Sequence, residues 1–415
     1  SHKYKIEIKL NNIPEEEITN FKDLGFDAIW FMGVWSRSKE SGNAILKDAK
    51  LMQELEFTVP DLKLDDIVSS PYAIADYKVN SLLGNRHDLL VLKRKLNKNK
   101  INLILDFVPN HVALDHPWLK KNPEYFILGN DEDIKNHPDL FFRHPDTGYI
   151  FAYGKDPNFP AWQDVIQLNY FNPQTRIAMA GILLDIVPLC DGLRCDMAML
   201  ILNRMQKEIW KERILYNNKF KEPEREFWQE IIIPVKKLRP EFLFIAEVYW
   251  GLEAELVELG FDYVYDKTFY DYLRDSNIAR IKEHITERQE AAAKKLKFIE
   301  NHDEARAVSV FGLEKSKVAA FLLSVSCGTH LFHQGQLEGF KIKFPIWLSK
   351  AADEKIDERI YSFYKRLLAV FKDISLNNDS WELTAIFPAW EQNQTFENFS
   401  GGKLFRCTIS MLHAF

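Results

Sequence analysis

Four groups of polar and titratable residues each follow a short apolar run that is typical of a buried strand. The groups lie in the sequences DFVPNH, GLRCD, IAEV and ENHD. Barrels of parallel strands place catalytic side chains at the carboxyl ends of those strands, so we expect the four groups to converge. They contribute the following residues: Asp106, Asn110, His111, Arg194, Asp196, Glu247, Asn301, His302 and Asp303.

The types of these residues indicate acid–base chemistry on two carboxyl groups. Arg194 and Asp196 are two positions apart, so they lie on the same side of a strand, and a guanidinium favours an ionised carboxylate beside it. Glu247 follows the apolar run FLFIA, a setting that favours a protonated carboxyl group. Retaining glycoside hydrolysis needs such a pair, one ionised as the nucleophile and one protonated as the general acid.

The elements that must position these groups alternate between strand-like and helix-like segments. This alternation is typical of βα units around a parallel sheet, and eight candidate strands predict a (β/α)₈ barrel. We expect Pro14 to begin one of the intervening helices and Gly25 to end it. The candidate strands are residues 6–10, 27–35, 101–108, 191–196, 242–248, 261–266, 297–303 and 329–335.

Two segments interrupt the alternation and divide the chain. Residues 112–175 contain many turn residues, and we expect them to form an irregular insertion over the active site, between barrel segments 1–111 and 176–377. Residues 378–415 contain few strand-like runs and predict a short, incomplete β appendage. The predicted fold is therefore an α/β TIM barrel with an insertion after the third strand and a short C-terminal β segment.

The composition restricts the classes of partner. The 415 residues carry a formal net charge of −6, with basic and acidic residues interspersed, which indicates neither nucleic-acid binding nor a membrane patch. The longest apolar stretch, residues 318–328, is about half the length of a membrane span. Four cysteines without metal-binding spacing and no visible signal peptide favour a cytoplasmic location. We expect a neutral substrate, and the oligomeric state is left open.

The ordered set of motifs resembles the α-amylase family, glycoside hydrolase family 13. That family carries Asp, Asn and His at the third strand, Gly-x-Arg-x-Asp at the fourth, Glu at the fifth and Asn-His-Asp at the seventh. The segments DFVPNH, GLRCD, EVYW and ENHD match in that order, and the resemblance spans about residues 20–340. It implies a retaining enzyme that hydrolyses or transfers α-linked glucosyl units of oligo- or polysaccharides by double displacement.

The resemblance implies a role for each matching carboxyl group. Asp196 would be the nucleophile that forms a glycosyl-enzyme intermediate, and Glu247 would be the acid/base. Asp303 would hold sugar hydroxyls and stabilise the transition state, and Asp106 would be a structural partner at the end of the barrel.

Four other matching residues are implied in substrate binding. Tyr72 would stack on the sugar ring, and Arg194 would orient the nucleophile. His111 and His302 would donate or accept hydrogen bonds at the sugar whose bond is cleaved. In the insertion, Trp162 and Phe142 would either stack on outer sugars or simply pack in the core.

The resemblance leaves the metal content open. Asn110 matches a position that binds calcium in many family members, and Asp164 is a candidate second ligand. A structural calcium ion is compatible with these residues, but no cofactor is required. Where α-amylases often carry a Lys-His pair after the nucleophile, this chain has Met199 and Leu200, which weighs against the calcium site and against endo-amylase specificity.

Two other functions remain open alternatives. The first is a catalytically impaired barrel that binds carbohydrate or a protein partner. The second is a lyase or isomerase that uses carboxylates at the strand ends as Mg²⁺ ligands.

Overall fold

The computed structural model describes residues 4, 6–216, 218–285, 289–373, 382–384, 401–403 and 410–414. Its described strands are β1 (Ala28–Phe31), β2 (Trp35–Arg37), β3 (Ile74–Val79), β4 (Asn102–Phe107), β5 (His111–Ala113), β6 (Phe141–Arg143), β7 (Ile150–Gly154), β8 (Trp162–Gln167), β9 (Gly192–Cys195), β10 (Leu243–Ala246), β11 (Tyr263–Tyr265), β12 (Lys295–Lys297), β13 (Thr329–His333), β14 (Glu382–Thr384), β15 (Gly401–Lys403) and β16 (Ser410–Ala414). Its described helices are α1 (Glu15–Asp23), α2 (Lys39–Ile45), α3 (Ala49–Thr58), α4 (Arg86–Lys98), α5 (Trp118–Lys121), α6 (Asp131–Asn136), α7 (Pro173–Ile186), α8 (Asn203–Trp210), α9 (Phe227–Leu238), α10 (Glu253–Glu258), α11 (Lys267–Arg274), α12 (Ile278–Ile285), α13 (Gln289–Ala292), α14 (Ala307–Val325) and α15 (Glu358–Asp373).

Eight parallel strands close into a barrel in chain order, which confirms the predicted fold class. The order around the barrel is β1, β4, β9, β10, β11, β12, β13 and β16, and β16 pairs with β1 to close it. The register places Arg194 of β9 beside Asp106 of β4 on one side and beside Ile245 of β10 on the other. Polar residues at the ends of these three strands are therefore at the same level of the barrel.

The prediction of a barrel strand at residues 6–10 is wrong. Ile6 is exposed, and Leu10 begins a short 3₁₀ helix, Leu10–Asn12, whose first N–H donates to the carbonyl of Leu83. The segment therefore lies outside the barrel, close to α4. A short alternation of apolar residues does not distinguish a strand from an extended segment that buries one side chain.

The remaining place in the barrel is taken by Ser410–Ala414. This strand pairs in parallel with both β13 and β1. The prediction that residues 378–415 form an appendage is thus wrong for these five residues, and β14 and β15 pair with each other. Most of the other residues in that segment lie outside the described part of the chain. Because residues 6–10 form no strand, Asn102–Phe107 is the second barrel strand and the insertion follows it.

The bounds predicted for the strand at 297–303 are also wrong. The ladder covers Lys295–Lys297 only. The side-chain oxygen of Asn301 accepts the N–H groups of Asp303 and Glu304, so the chain turns away from the sheet there. This turn carries His302 and Asp303 beyond the last ladder hydrogen bond, onto the mouth of the barrel.

The insertion contains a small antiparallel sheet. Its strands are ordered β5, β8, β7 and β6, and the register pairs His111 with Gln167. β5 begins four residues after β4, so the sheet stands directly on the carboxyl end of a barrel strand. Both His111 and Trp162 are first residues of strands in this sheet.

The helices begin and end at the residues that favour those positions. α1 begins after Pro14, and Gly25, at φ +86°, follows its end, as predicted. Asn85 caps α4 by accepting the N–H groups of His87 and Asp88. The barrel interior is filled by apolar and aromatic side chains that include Trp30, Ile104, Ile245, Leu296 and Leu331, so the barrel is a packed core below the site.

Two further predictions concern membrane-spanning helices and the cysteines. None of the described helices is long and apolar enough to cross a membrane. Within the described part of the chain, Cys190, Cys195 and Cys327 form no disulfide with one another, and Cys407 lies outside it. The cytoplasmic location stays a prediction.

Replacing Leu412 with proline tests the closure of the barrel by β16. Proline removes an N–H from a strand that has partners on both edges, so we expect Leu412→Pro to lower the free energy of unfolding by about 2 kcal/mol or more relative to Leu412→Ala. Urea unfolding followed by tryptophan fluorescence measures the difference. Equal unfolding midpoints for the Pro and Ala variants would show that this strand does not support the barrel.

Candidate active site

The ends of β4, β9, β10 and β12 and the insertion sheet surround one cavity of about 680 Å³. All three predicted catalytic carboxyl groups, Asp196, Glu247 and Asp303, line it. The predicted binding residues Tyr72, His111 and His302 line it as well. Arg194 lies beneath the cavity floor and is fully buried. The structure therefore brings together all seven residues that the sequence predicted.

Arg194 contacts three carboxyl groups. Its Nη1 donates to Oδ1 of Asp196 at 2.6 Å, and its Nη2 lies 2.7 Å from Oε2 of Glu247. Oδ1 of Asp106 is 3.6 Å from Nη1, and the hydroxyl of Tyr265 accepts from Nε at 3.2 Å. One guanidinium thus spans the two carboxyl groups that are expected to do the chemistry. Both carboxyl groups therefore lie beside the same guanidinium.

Aromatic rings enclose this guanidinium. The Arg194 Cζ lies 4.9 Å from the ring centre of Trp30, 5.3 Å from that of Tyr72 and 5.6 Å from that of Tyr265. The rings keep water away and attract the cation through their π faces. The attraction between Arg194 and the carboxyl groups is therefore stronger than at a solvated surface.

Glu247 has the environment of a general acid. Its backbone N–H donates to the carbonyl of Cys195, which fixes its position beside β9. Its Oε2 accepts the backbone N–H of Met197 at 2.8 Å, and its Oε1 lies 2.8 Å from the hydroxyl oxygen of Tyr249. Burial, which has the largest effect, and the nearby carboxylates of Asp196 and Asp303 together raise the pKa of Glu247 to about 8 against the opposing effect of Arg194. The group is protonated at neutral pH.

Asp106 is a second buried carboxyl group with a raised pKa. Burial raises the pKa of Asp106 to about 7 against the opposing effect of Arg194. Its backbone carbonyl accepts the indole N–H of Trp35 at 2.7 Å. Asp106 does not line the cavity, so it fits the structural role that the resemblance implies.

Tyr72, His302 and Asp303 form a short chain of polar contacts along the cavity wall. The Tyr72 hydroxyl oxygen lies 2.6 Å from Nε2 of His302, and the same nitrogen lies 3.0 Å from Oδ2 of Asp303. The Asp303 side chain is 45% exposed, so it is open to a bound ligand. Burial lowers the pKa of His302 well below its usual value, so the imidazole is neutral and suits hydroxyl groups.

His111 also lines the cavity. Burial lowers the pKa of His111 to about 4, so this imidazole is neutral as well. Its ring packs against that of Trp162 in a T-shaped arrangement, with ring centres 5.4 Å apart. Trp162 lines the cavity, whereas Phe142 does not and stacks on Tyr153 instead. Of Trp162 and Phe142, only Trp162 therefore lies where it can stack on an outer sugar.

The structure adds residues that the sequence did not indicate. Met197 has a left-handed backbone, at φ +42° and ψ +47°, and this conformation aims its N–H at Glu247. A methionine does not favour a left-handed backbone, so its residue type does not predict this conformation. The sequence spacing could have indicated Tyr249. It lies two residues after Glu247, and side chains two positions apart along an extended segment point the same way. Tyr265 at the end of β11 was also missed.

A structural calcium ion at Asn110 stays a prediction. The Asn110 side chain exchanges two hydrogen bonds with that of Gln167, so its amide oxygen already has a donor. In the described part of the chain, no group of three or more His, Cys, Asp or Glu side chains is arranged to hold a metal ion. Met199 and Leu200 lie in a fully buried 3₁₀ helix, Ala198–Ile201.

Comparisons with known proteins agree with this geometry. Residues 15–367 match the family model described as alpha amylase, catalytic domain. Alpha-amylase 3 of Dictyoglomus thermophilum is 24% identical over 354 residues, which cover 72% of this chain and 66% of that protein. Alpha-amylase MalA of Haloarcula japonica is 25% identical over 312 residues, which cover 73% of this chain and 41% of that protein. The chain therefore spans less than two thirds of either relative.

A solved structure shares the fold. The maltogenic alpha-amylase AmyB from Thermotoga neapolitana superposes with a TM-score of 0.61 at 20% identity, covering 90% of this chain and 74% of the other. At this identity the likeness concerns the fold alone, and it agrees with the closed barrel described above.

Replacing Glu247 with glutamine tests the cause of its raised pKa. In the folded protein the carboxyl group keeps its proton up to about pH 8, whereas in the unfolded chain it ionises near pH 4.3, so native stability falls between these two values as pH rises. Glutamine is neutral at every pH. We expect Glu247→Gln to be more stable than the native protein by roughly 1–4 kcal/mol, with the gain growing from about pH 4.5 to about pH 8 and then constant.

Urea unfolding across this pH range measures the gain. Glu56→Gln, at an exposed position of α3, is the matched control and should show no such pH-dependent gain. A Glu247→Gln variant that is less stable than the native protein at pH 8 would contradict the burial of a protonated carboxyl group.

Proposed function

Because this chain belongs to the alpha-amylase catalytic-domain family, we propose that it is a retaining enzyme that cleaves α-glucosidic bonds of oligo- or polysaccharides, by hydrolysis or by transfer to another sugar. The observation that supports this most directly is the Arg194 bridge between Asp196 and Glu247 at the floor of the cavity. It joins a nucleophile that is paired with a cation to an acid that is protonated at neutral pH. Those are the two groups that double displacement uses.

In the first step, the Asp196 carboxylate attacks the anomeric carbon while Glu247 protonates the departing oxygen. The bond between carbon and the leaving oxygen breaks, and a covalent bond to Asp196 forms. In the second step, Glu247 takes a proton from water or from an acceptor hydroxyl, whose oxygen displaces Asp196 from the anomeric carbon. Two inversions leave the product with the configuration of the substrate.

The neutral groups on the walls suit an uncharged sugar. His111 and His302 offer neutral imidazoles to hydroxyl groups, and Asp303 offers an exposed carboxylate that can accept two hydrogen bonds. Tyr72 and Trp162 present aromatic surface to the same cavity. The mechanism needs no cofactor, because both reacting groups are side chains of this chain.

The described site does not favour either alternative function. All three carboxyl groups line one cavity, which an impaired binding protein would not need. Asp196 and Glu247 both contact the guanidinium of Arg194. A Mg²⁺-dependent lyase would instead require them to be arranged around the metal ion.

Azide trapping with two glycine variants tests the assignment of nucleophile and acid/base. With α-glucosyl fluoride as substrate, we expect Asp196→Gly to yield β-glucosyl azide, because azide replaces the nucleophile in a single inversion. We expect Glu247→Gly to yield α-glucosyl azide, because the covalent intermediate still forms on Asp196. Both variants should lose about 10³-fold or more of their activity on maltooligosaccharides.

Proton NMR of the products distinguishes the two anomers, and each variant serves as the control for the other. The assignment would be reversed if Glu247→Gly gave the β-azide. The proposed function itself would be wrong if the native protein released no product from any of a panel of maltooligosaccharides, sucrose and trehalose.

The pH dependence of the native protein tests the role of protonated Glu247. Activity needs its proton, so kcat/KM for a maltooligosaccharide should fall above about pH 8. Fluoride departs without protonation, so kcat/KM for α-glucosyl fluoride should show a much weaker fall. Parallel alkaline limbs for both substrates would rule out Glu247 as the acid.

A further inference from the structure

The two oxygens of the Glu247 carboxyl group have different partners. Oε2 accepts the backbone N–H of Met197 and lies 2.7 Å from Nη2 of Arg194. Both neighbours are donors that cannot accept a hydrogen bond. A proton on Oε2 would point at one of them, so the proton of the neutral group resides on Oε1.

Oε1 contacts the hydroxyl of Tyr249 at 2.8 Å. Tyr249 is half-buried and lines the cavity beside Glu247. Burial raises the pKa of its phenol well above the usual value, as does the neighbouring Glu247 carboxylate, so it keeps its hydrogen throughout the working range. A phenol can both donate and accept a hydrogen bond, unlike the two groups at Oε2.

We infer that Tyr249 is a positioning residue that holds the catalytic proton on Oε1 of Glu247 and stabilises the carboxylate that remains when the proton leaves. This inference rests on the proposed function and deepens it. In the neutral acid, Oε1–H donates to the Tyr249 oxygen. In the ionised form, the Tyr249 hydroxyl turns and donates to Oε1.

The exchange balances over the two steps of the reaction. In the first, the bond between the anomeric carbon and the leaving oxygen breaks, and its electron pair takes the proton from Oε1 while Asp196 bonds to the carbon. In the second, water or a sugar hydroxyl gives its proton to Oε1 and bonds to the carbon, and the electron pair of the broken ester bond returns to Asp196. Tyr249 changes from acceptor to donor and back, and no further reactant is needed.

Removing the hydroxyl should raise the pKa of Glu247. A hydrogen bond to an ionised acceptor is stronger than one between neutral groups, so Tyr249→Phe loses more from the carboxylate than from the acid. The other titratable groups that face Glu247 are Arg194, Asp196, Tyr265 and Asp303, and this variant retains all four. The effect of the substitution therefore isolates the hydroxyl.

The experiment measures kcat/KM against pH for native protein and Tyr249→Phe. We expect the alkaline limb for a maltooligosaccharide to move up by about 0.5–1 pH unit. At pH 7 we expect kcat/KM to fall about 5- to 20-fold for the maltooligosaccharide and less than about 2-fold for α-glucosyl fluoride. Tyr153→Phe, which removes a hydroxyl from a ring stacked on Phe142 away from the cavity, is the matched control and should leave the limb in place.

A second readout does not depend on turnover. The infrared carbonyl band of the protonated carboxyl group, assigned to Glu247 by its loss in Glu247→Gln, should titrate at higher pH in Tyr249→Phe than in native protein. An unchanged titration in a folded Tyr249→Phe variant would overturn the inference. If the native protein cleaves no α-glucoside, the proposed function fails, while the infrared titration still decides the role of Tyr249.

Discussion

The buried guanidinium of Arg194 determines the charge distribution on which the rest of the site depends. It is fully buried, it has two terminal nitrogens, and three carboxyl groups lie within 3.6 Å of them. A single cation in a dry environment compensates one carboxylate well, and each further ionised group would carry a large desolvation cost. Asp196 has the short hydrogen bond, and burial raises the pKa values of Glu247 and Asp106. The difference between the proposed nucleophile and the proposed acid is therefore a consequence of one arginine that contacts several carboxyl groups.

The barrel allows one arginine to contact several carboxyl groups because the pairing of its strands fixes their register independently of the site. Arg194 of β9 pairs with Asp106 of β4 on one side and with Ile245 of β10 on the other. Glu247 follows Ile245 by two positions, so Asp106 and Glu247 reach the guanidinium from the two sides. The left-handed backbone at Met197 then turns the chain after Asp196 and supplies an N–H to Glu247. Strain of this kind persists only where the surrounding structure compensates it, and here the compensation is the hydrogen bond from Met197 to Glu247.

Sequence reasoning predicted side chains that the structure brings together around one cavity, but not all of the elements that carry them. Arg194, Asp196 and Glu247 were predictable because a polar residue after an apolar run marks a strand end, and strand ends meet. Asp303 was predicted on the same ground, but it lies in a turn six residues beyond the end of its strand. The first barrel strand was misplaced because Ile6, Ile8 and Leu10 alternate like a strand although only Leu10 is buried. The closing strand, Ser410–Ala414, depends on pairing over a separation of more than 300 residues, which local patterns do not encode. The contacts of Met197 depend on a backbone conformation that its side chain does not favour.

The central claim is that the single positive charge of Arg194, which contacts both carboxyl groups, keeps Asp196 ionised while Glu247 keeps its proton on Oε1. Neutron diffraction from a deuterium-exchanged crystal at pH 7 tests this directly, because it locates exchangeable hydrogens on carboxyl oxygens. The expected map has deuterium on Oε1 of Glu247, pointing toward the Tyr249 oxygen, and none on Asp196. Deuterium on Asp196, or a Glu247 carboxyl group with deuterium on neither oxygen, would contradict it.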